Sequence, residues 1–558
     1  MLAVQVVERY PENDPRFNAL GSPLDLTGKK SPTMRHLVTV GILAFALCGL
    51  ASAAESPRPN IILILADDLG WSDIGPYGSE IATPNLDRLA SGGLRFTQFH
   101  NTSKCFPSRA ALLTGLYAQQ VGMDRKAAVI RNGVTLGEVL QSGGYRTYWT
   151  GKHHGTENPY DRGFDHYYGL RDGACNFFNP GHQRPGEGKP AQKRPNRTWY
   201  IDNKLIQPYT PPKDFYTTDY FTNYAIRYLE EDKDDDRPFF LYVAYTAPHD
   251  PLMAWPEDIA KYRGKYQEGY EAIRQERYRK QLRMGLVDDS FPLSASDHRP
   301  WDSLSPQERT IEDLTMAVYA AMIDRLDQNI GKILAKVREL GQEENTLVIF
   351  ASDNGASSEN VTSGYNIPGD GAIGTMERWT SLKRDWANVG NTPYRYYKNY
   401  SYEGGICTPF IVYWPKFTAS EESAYEAGDV IHNYPGHFID VMPTLAEVSG
   451  APYPSKFNGQ PIHPVAGESL MPVLRGELTE RSKPLYFQWA RGRAVRRDNW
   501  KIVSSQNRGG DEVPWELYNL AVDKTETRNL AAEKPALVKE LARLYENWYA
   551  RVSSSSGD

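Results

Sequence analysis

Two uninterrupted apolar runs constrain the fold of this chain more than any other feature of its sequence. Residues 60–66 read NIILILA, and residues 346–351 read TLVIFA. Each run has the length of a strand and no polar alternation, which is typical of parallel strands that are covered on both faces. The pattern therefore predicts an α/β fold built on a mostly parallel sheet.

Oxygen-bearing side chains follow both runs at the point where each strand would end. They are Asp67 and Asp68 after the first run, and Asp353 and Asn354 after the second. In open α/β sheets, ligands collect at the carboxyl ends of the strands. Three carboxylates and an amide oxygen suit Ca²⁺ or Mg²⁺ and lack the soft ligands that zinc prefers. Either pair alone is equally typical of a turn, but their matched positions favour a metal site.

Residues 105–115, which read CFPSRAALLTG, place a cysteine at the start of a predicted helix. The proline and serine of this segment are typical of a first turn, Arg109 follows them, and residues 110–113 are strong helix formers. Cys105 would then lie at the positive end of the helix dipole, which favours a nucleophile or an anion. The alternative is that Cys105 is a small, inert packing residue.

Basic residues follow two further runs that resemble strands. Residues 145–150 lead into the sequence GKHH, and residues 239–247 lead into PHD. The candidates here are Lys152, which can neutralise an anionic substrate, and the histidines His154 and His249, which can transfer protons near neutral pH. Strand ends on one edge of a sheet would bring these side chains to one shared face.

The segment at residues 105–115 resembles the sulfatase signature C-x-P-S-R-x-x-x-L-T-G at every fixed position. The chain is thus similar to the formylglycine-dependent type I sulfatases, which are arylsulfatase-like members of the alkaline phosphatase superfamily. The resemblance implies that a formylglycine-generating or equivalent maturation enzyme oxidises Cys105 to formylglycine (3-oxoalanine), whose hydrated aldehyde is the nucleophile. It also implies one Ca²⁺ per chain, with the ligands Asp67, Asp68, Cys105, Asp353 and Asn354.

Other segments carry the same resemblance. The family places its catalytic histidine two residues after the lysine, which selects His154 over His153. The fragment TAPHDPL around His249 is similar to the family's A-P-H segment, although Asp250 stands where many relatives carry an aromatic residue. Lys398, shortly before the sequence EGG, resembles the family's second substrate-binding lysine, and the two glycines predict a tight turn.

The resemblance implies hydrolysis of sulfate esters, either aryl sulfates or sulfated carbohydrates, through a covalent sulfo-enzyme intermediate. Arg109 would hold the hydrated aldehyde, Lys152 and Lys398 would bind sulfate oxygens, His249 and Lys398 would assist the departing alcohol, and His154 would remove the proton whose loss releases sulfate. Two alternatives stay open. One is a phosphonate or phosphate ester hydrolase of the same superfamily, and the other is a noncatalytic relative that binds sulfated glycans.

The resemblance also implies an alkaline-phosphatase-like fold, with a large mixed, mostly parallel sheet flanked by helices. Residues 58–451 would form the catalytic domain, and residues 452–558 a smaller α+β subdomain with a small antiparallel sheet and a helix. Within the first, residues 314–340 have the spacing of an amphipathic helix with solvated carboxylates. The basic loop at residues 180–198 would edge the cleft, and residues 488–491 (QWAR) depart from the Glu-His pair of related sequences.

The amino terminus is typical of an exported protein. Residues 1–33 form a polar leader that we interpret as a mis-called start or a disordered leader, and residues 34–53 have the apolar core and small terminal residues of a signal peptide. A short membrane anchor is the alternative interpretation. We expect a periplasmic or secreted protein with no stable membrane span after signal cleavage. The net charge of −6 and the pI of about 6.1 argue against a nucleic-acid partner.

Beyond Cys105, the mature chain would contain Cys175 and Cys407. In an oxidising compartment these two cysteines either form one disulfide or remain two free thiols, and the sequence leaves both open.

Overall fold

The computed structural model describes residues 58–125, 128–505 and 513–554. The leader and the signal peptide lie outside these ranges, so their assignment stays a prediction. Among the helices within these ranges, none has the combination of length and apolar character that crossing a bilayer requires.

The described residues form one large mixed sheet of eleven strands. In chain order the strands are β1 (Asn60–Asp67), β2 (Leu94–His100), β3 (Arg146–Gly151), β4 (His166–Leu170), β5 (Trp199–Ile201), β6 (Lys204–Ile206), β7 (Phe239–Pro248), β8 (Thr346–Ser352), β9 (Cys407–Tyr413), β10 (Val430–Ile431) and β11 (Gly436–His437). Their spatial order is β10-β2-β9-β8-β1-β7-β3-β4-β5-β6, and β11 also pairs with β2. The fold class predicted from the sequence is confirmed.

The centre of the sheet explains the apolar runs. Strands β8, β1, β7, β3 and β4 are neighbours and run parallel, and Ile61 of β1 lies between Leu347 of β8 and Phe240 of β7. Side chains on both faces of β1 are fully buried, because one apolar core covers each face. The carboxyl ends of β1, β3, β7 and β8 therefore lie at one edge, where the polar motifs begin.

Helices cover both faces of the sheet. In chain order they are α1 (Pro84–Ser91), α2 (Cys105–Thr114), α3 (Leu136–Ser142), α4 (Thr217–Glu231), α5 (Pro256–Ala260), α6 (Tyr270–Arg283), α7 (Pro306–Glu339), α8 (Lys383–Gly390), α9 (Glu403–Ile406), α10 (Pro415–Thr418), α11 (Val441–Ser449), α12 (Met471–Leu474) and α13 (Pro535–Ser554).

Helix α7 is longer than its apolar stripe predicts. It begins at Pro306, where Ser305 and Glu308 form a reciprocal capping box. The expectation that the carboxylates of residues 314–340 are solvated is wrong for Asp324 and Asp327, which are both buried. Asp327 accepts hydrogen bonds from the backbone N–H groups of Asn85 and Leu86 at the start of α1. This carboxylate therefore fastens α1 to α7.

The C-terminal part of the chain forms a separate antiparallel sheet that shares a core with the large sheet. Its strands follow the short pair β12 (Lys456–Phe457) and β13 (Gln460–Pro461), and they are β14 (Leu485–Trp489), β15 (Gly492–Arg497), β16 (Trp500–Ser504) and β17 (Glu516–Asn519). Apolar residues of β14 to β17 and of α13 belong to the same buried cluster as Phe106 and Phe438. The boundary at residues 451/452 stays a prediction.

Within the described ranges, Cys105, Cys175 and Cys407 are all buried free thiols. Of the two possibilities that the sequence left open, the structure therefore has the free thiols, and the fold does not depend on a disulfide.

Candidate active site

Helix α2 begins at Cys105, as the sequence predicts, with the proline and the serine of the motif in and directly after its first turn. Lys104 is extended and precedes the first turn, and Cys105 is only 1% exposed. The Ser108 side chain contacts the residues that precede the helix, because its hydroxyl accepts a hydrogen bond of 2.9 Å from the backbone N–H of Thr102. This contact fixes the chain entering the helix and holds residue 105 at the positive end of its dipole.

Arg109 and Lys152 form a buried network with the carboxylates at the strand ends. Arg109 donates from Nε to Asp353 Oδ2 at 2.8 Å and from Nη1 to the Lys152 carbonyl at 3.0 Å. Lys152 donates from Nζ to Asp67 Oδ2 at 2.6 Å. All four side chains are almost completely excluded from solvent, so they lie beneath the cavity floor rather than at its mouth.

A second buried network is centred on Lys398. Its Nζ donates to Asp68 Oδ2 at 2.7 Å and lies 3.1 Å from Glu359 Oε2. The Nε2 atom of His249 lies 3.4 Å from the same ammonium nitrogen and 3.5 Å from Asp68 Oδ2. The loop before α9 and the end of β7 thus bring a lysine and a histidine to one carboxylate.

Asp250, the residue that departs from the family pattern, orients His249. The Nδ1 atom of His249 lies 2.6 Å from the Asp250 carbonyl oxygen and 3.0 Å from its Oδ1. The Asp250 carboxylate is held in turn by the Ser381 hydroxyl at 2.7 Å and by the Trp379 indole N–H at 3.2 Å. The other ring nitrogen of His249 therefore faces Asp68 and Lys398.

The four oxygen-bearing residues at the strand ends come together as a set suited to a hard cation. Asp353 Oδ1 accepts from the Asp68 backbone N–H at 3.2 Å, and Asn354 donates its amide N–H to Asp68 Oδ1 at 2.6 Å. Two buried oxygens, Asp67 Oδ1 and Asn354 Oδ1, have no hydrogen-bond partner among the described residues. Buried polar atoms are rarely left unpaired, so both are free to bind a metal ion.

His249 belongs to this group as well. Asp67, Asp68 and His249 each present one donor atom within 4.8 Å of the others. The sequence assigned His249 to proton transfer and not to the metal set. The carboxylates are also crowded, because burial and the neighbouring Asp67 raise the pKa of Asp353 to about 6 despite Arg109 and Lys152, and such a carboxylate-rich environment suits a cation.

The two cavity histidines have pKa values shifted in opposite directions. Burial, together with the charges of Lys152 and Arg109, holds the pKa of His154 well below 6.5. Burial also lowers the pKa of His249, but Asp68 and Asp67 outweigh burial and Lys398, and the net shift is upward. Opposed shifts of this kind are typical of a base and an acid in one active site.

Two residues of the site have left-handed backbone conformations. Asp68 has a φ of +63° and His154 a φ of +64°. Such a conformation costs an L-residue on the order of 1–2 kcal/mol, and it persists only where the surroundings impose it. Here it aims both side chains toward the carboxyl edge of the sheet.

The thiol of Cys105 is poorly suited to act as a nucleophile. Burial raises its pKa, and the opposing charges of Lys152, Lys398 and Lys104 do not fully offset that effect. Because the thiolate is the reactive form, the unmodified residue stays protonated near neutral pH.

A cavity of about 540 Å³ opens above these groups. Of the residues predicted for catalysis, Cys105, His154, His249 and Lys398 line it, whereas Arg109 and Lys152 support them from below. This volume is in the range that holds a small ligand or a single sugar unit. Aromatic rings form one wall, since Phe106 packs edge-on against His154 at 5.4 Å and against Trp489 at 5.1 Å between ring centroids.

Glu359 and Trp489 line the cavity but were not assigned roles from the sequence. Glu359 pairs with Lys104 at 2.7 Å and with Lys398, while Trp489 donates from Nε1 to Asn399 Oδ1 at 3.0 Å. The departure from the family pattern at residues 488–491 was the sole sequence signal for Trp489. Glu359 lies a few residues after the DNG tripeptide, and no motif or hydrophobic periodicity in the sequence indicates a role for it.

The glycines after Lys398 serve a different purpose from the predicted turn. Glu403–Ile406 form the single-turn helix α9, and neither glycine has a positive φ. A Cβ atom on Gly404 would lie 2.2 Å from the Arg395 carbonyl oxygen, and one on Gly405 would lie 2.0 Å from that of Tyr400. The glycines thus permit close packing of the loop that carries Lys398.

Comparisons with known proteins identify the family. The family model named Sulfatase matches residues 59–451, and one described as N-sulphoglucosamine sulphohydrolase, C-terminal, matches residues 393–548. An uncharacterized sulfatase of Schizosaccharomyces pombe is 32% identical over 529 residues, which cover 88% of this chain and 93% of that protein. An arylsulfatase of Klebsiella aerogenes is 30% identical over 488 residues, which cover 81% of this chain and 100% of that protein.

A solved structure supports the same assignment. It is the crystal structure of Ps i-CgsB in complex with k-i-k-neocarrahexaose, which is 25% identical, has a TM-score of 0.63 and covers 90% of this chain and 94% of that chain. The chain belongs to the sulfatase family and has the alkaline-phosphatase-like fold of that family. The protein is a sulfuric ester hydrolase.

Proposed function

We propose that this hydrolase cleaves aryl or carbohydrate sulfate esters through a formylglycine formed from Cys105, with one Ca²⁺ bound at the carboxyl edge of the sheet. The observation that carries the proposal is the position of Cys105 at the start of α2, inside the cavity and between a carboxylate cluster and three lysines. A thiol at this position is largely protonated, whereas a hydrated aldehyde would present two hydroxyl groups to the same environment. The name of the Klebsiella aerogenes relative and the oligosaccharide bound in the matched structure support the two substrate classes.

Each residue of the site has a defined role in one of the two steps of the reaction. One hydroxyl of hydrated residue 105 gives its proton to the carboxylate of Asp353 and attacks sulfur. The S–O bond of the ester then breaks, and the alcohol leaves with a proton from His249. Lys398 stabilises the oxygens of the sulfate, while Lys152 and Arg109 hold the carboxylates on which the nucleophile depends. The second hydroxyl then gives its proton to His154, its C–O bond becomes C=O, and sulfate departs with the oxygen that attacked.

A bound Ca²⁺ would supply positive charge beside the nucleophile and the sulfate oxygens. Asp67, Asp68, Asp353 and Asn354 would hold the ion, with residue 105 as a further ligand. Two of these residues carry the unpartnered oxygens described above, and the upward pKa shift of Asp353 is consistent with the same assignment.

The proposal includes a maturation step and a compartment. Oxidation of Cys105 requires a formylglycine-generating or equivalent enzyme that supplies the oxidant. The signal-like segment at residues 34–53 supports export to the periplasm or the medium.

The test is hydrolysis of 4-nitrophenyl sulfate by protein produced together with a maturation enzyme. We expect turnover that depends on calcium, falls on chelation and is restored by added Ca²⁺. Cys105→Ala should abolish turnover, whereas the matched variant Cys407→Ala should retain it, because Cys407 is a buried thiol outside the cavity lining.

The same assay separates the alternatives. Cleavage of phosphate or phosphonate esters without sulfate release would identify the other hydrolase class. Binding of a sulfated glycan without aldehyde or turnover would identify the noncatalytic relative. Either result would contradict the proposal.

A further inference from the structure

The cavity has a second cationic region apart from the lysines at its floor. Arg171, Lys193, Arg194 and Arg197 line one side, and the carboxylate of Asp172 is the acidic group among them. Three of the four cations come from the basic loop that the sequence placed at the edge of the cleft. Lys193 and Arg194 are exposed, whereas Arg197 is only 6% exposed.

Arg197 is buried without a direct carboxylate partner among the described residues, and the charge of Asp172 offsets only part of the effect of burial, which lowers the pKa of Arg197. Its Nε has no hydrogen-bond partner among the described residues, and no ion pair joins its guanidinium to a carboxylate in that part of the chain. Three other buried arginines are paired with carboxylates: Arg109 with Asp353 at 2.8 Å, Arg277 with Asp73 at 2.6 Å and Arg481 with Asp440 at 2.6 Å. Arg146 and Arg496 have no carboxylate partner among the described residues, but their guanidinium groups donate hydrogen bonds to carbonyl and amide oxygens, which the Arg197 guanidinium does not. A buried guanidinium that stays charged carries a desolvation penalty unless an anion compensates it.

The backbone around Arg197 is fixed close to the reacting centre. The neighbouring Thr198 donates from its N–H to Asp172 Oδ2 at 2.7 Å, and its carbonyl accepts from the Arg171 N–H at 3.1 Å. The same segment continues to Gly173, where a Cβ atom would lie 2.4 Å from Nε2 of His154. The segment of residues 171–173 therefore lies between His154 and Thr198, the residue next to Arg197, and Arg197 is held on the cavity wall near His154.

We propose that Arg197 binds a second anionic group of the substrate, a carboxylate or another sulfate on the same ring or on an adjoining sugar. The proposal rests on the proposed function, because the first sulfate must bind at residue 105. A planar guanidinium pairs with either anion through two parallel N–H donors, and the exposed Arg194 adds longer-range attraction. Phe106 and Trp489 would contact the ring that carries both groups.

The test compares substrates that differ in one charge. Wild-type enzyme is assayed with 3- and 4-carboxyphenyl sulfate and with the corresponding carboxamides, and 1,3-phenylene disulfate is compared with 3-hydroxyphenyl sulfate. We expect kcat/KM to favour the doubly anionic member of at least one pair by about tenfold or more, because only that member forms a charge-assisted hydrogen bond with the guanidinium. The pair that shows the preference identifies carboxylate or sulfate as the group recognised.

Variants assign the preference to Arg197. In Arg197→Gln the ratio of kcat/KM between the doubly and the singly anionic substrate should fall to about one, because the charge-assisted contact with the second anion is lost. The kcat/KM for 4-nitrophenyl sulfate should stay within about threefold of wild type, because this substrate has no second anionic group to contact Arg197. Arg194→Gln removes the same charge from an exposed site and should retain most of the ratio, since solvent screens that charge. If Arg197→Gln does not fold, the wild-type enzyme is inhibited with 3-sulfobenzoate and with 3-sulfobenzamide, which differ only in the second anionic group. We then expect 3-sulfobenzoate to be the stronger inhibitor.

Equal kcat/KM for all pairs in the wild-type enzyme, equal inhibition by the two sulfonates, or a ratio that survives in Arg197→Gln would overturn the assignment. These results differ from failure of the proposed function, in which 4-nitrophenyl sulfate itself is not turned over.

Discussion

At the scale of single residues, two neighbouring histidines have sharply different surroundings. His154 lines the cavity, whereas His153 does not line it, lies 3.7 Å from the carboxylate of Glu157 and packs against Trp149. The low pKa of His154 keeps it neutral near pH 7, so it is ready to accept the proton that releases sulfate.

Replacing His154 should therefore block the second half of the reaction. We expect His154→Ala to lower kcat by about 10²–10⁴-fold, which is the usual contribution of a general base. Because formation of the sulfo-enzyme does not need His154, 4-nitrophenol should still appear in a rapid burst equal to the concentration of active sites. Stopped-flow absorbance measures both quantities.

His153→Ala is the matched control for that experiment. It should keep steady-state turnover and lose thermal stability through the missing contacts with Trp149 and Glu157. Slow turnover of His154→Ala without a burst would show that His154 acts in the first half of the reaction.

At the scale of secondary-structure elements, α9 positions Lys398 by packing tightly against its own loop. Gly404→Ala would place a Cβ atom 2.2 Å from the Arg395 carbonyl oxygen, and Lys398 follows that carbonyl three residues later. We expect the substitution to cost about 3 kcal/mol in the free energy of unfolding, at the upper end of overpacking effects, and to reduce activity.

Gly450→Ala is the comparison variant, because Gly450 has a φ of +68° and nothing lies within 4 Å of the added Cβ. Its cost should be about 1 kcal/mol, which reflects the left-handed backbone alone, with activity unchanged. Urea unfolding of both variants measures the difference. Equal costs would show that the loop yields and that α9 does not fix Lys398.

The same elements show which parts of the site could be predicted from the sequence. Strand β1 and its aspartates could be predicted because burial on both faces leaves a continuous apolar run, and the first polar residues then mark the end of the strand. The start of α2 could be predicted as well, because the proline, the serine and the helix formers that follow them are local signals. Arg197 lies in the basic loop that the sequence placed at the cleft edge, but its burial could not be predicted, and Glu359 had no local signal, because both depend on loops that meet only in the folded chain.

At the scale of the whole molecule, a buried ionic cluster joins the C-terminal sheet to the large sheet. Lys501 of β16 lies 2.7 Å from both Glu403 and Glu526, and the Glu403 N–H donates to Glu526 at 2.8 Å. Burial, together with the charge of Glu403, raises the pKa of Glu526 from 4.5 to about 7 despite the opposing charge of Lys501. The folded protein therefore holds a proton on Glu526 more tightly than the unfolded chain does.

The raised pKa of Glu526 determines how the stability of the folded protein changes with pH. Ionised Glu526 disfavours folding above about pH 7, and that penalty disappears as the pH falls toward 4.5. Glu526→Gln should raise the melting temperature relative to wild type more at pH 8 than at pH 5. Scanning calorimetry at both pH values makes the comparison, and a difference that is larger at pH 5 would contradict the assigned direction.

If residue 105 acts as an aldehyde, turnover must follow the fraction of Cys105 that has been converted, and measuring both quantities in the same preparations tests this requirement. Preparations made with increasing amounts of maturation enzyme are analysed by mass spectrometry of the peptide that contains residue 105 and by 4-nitrophenyl sulfate turnover in calcium. We expect turnover to be proportional to the aldehyde fraction and to vanish where residue 105 is entirely cysteine. Full turnover in a preparation that contains only the thiol would contradict the formylglycine mechanism.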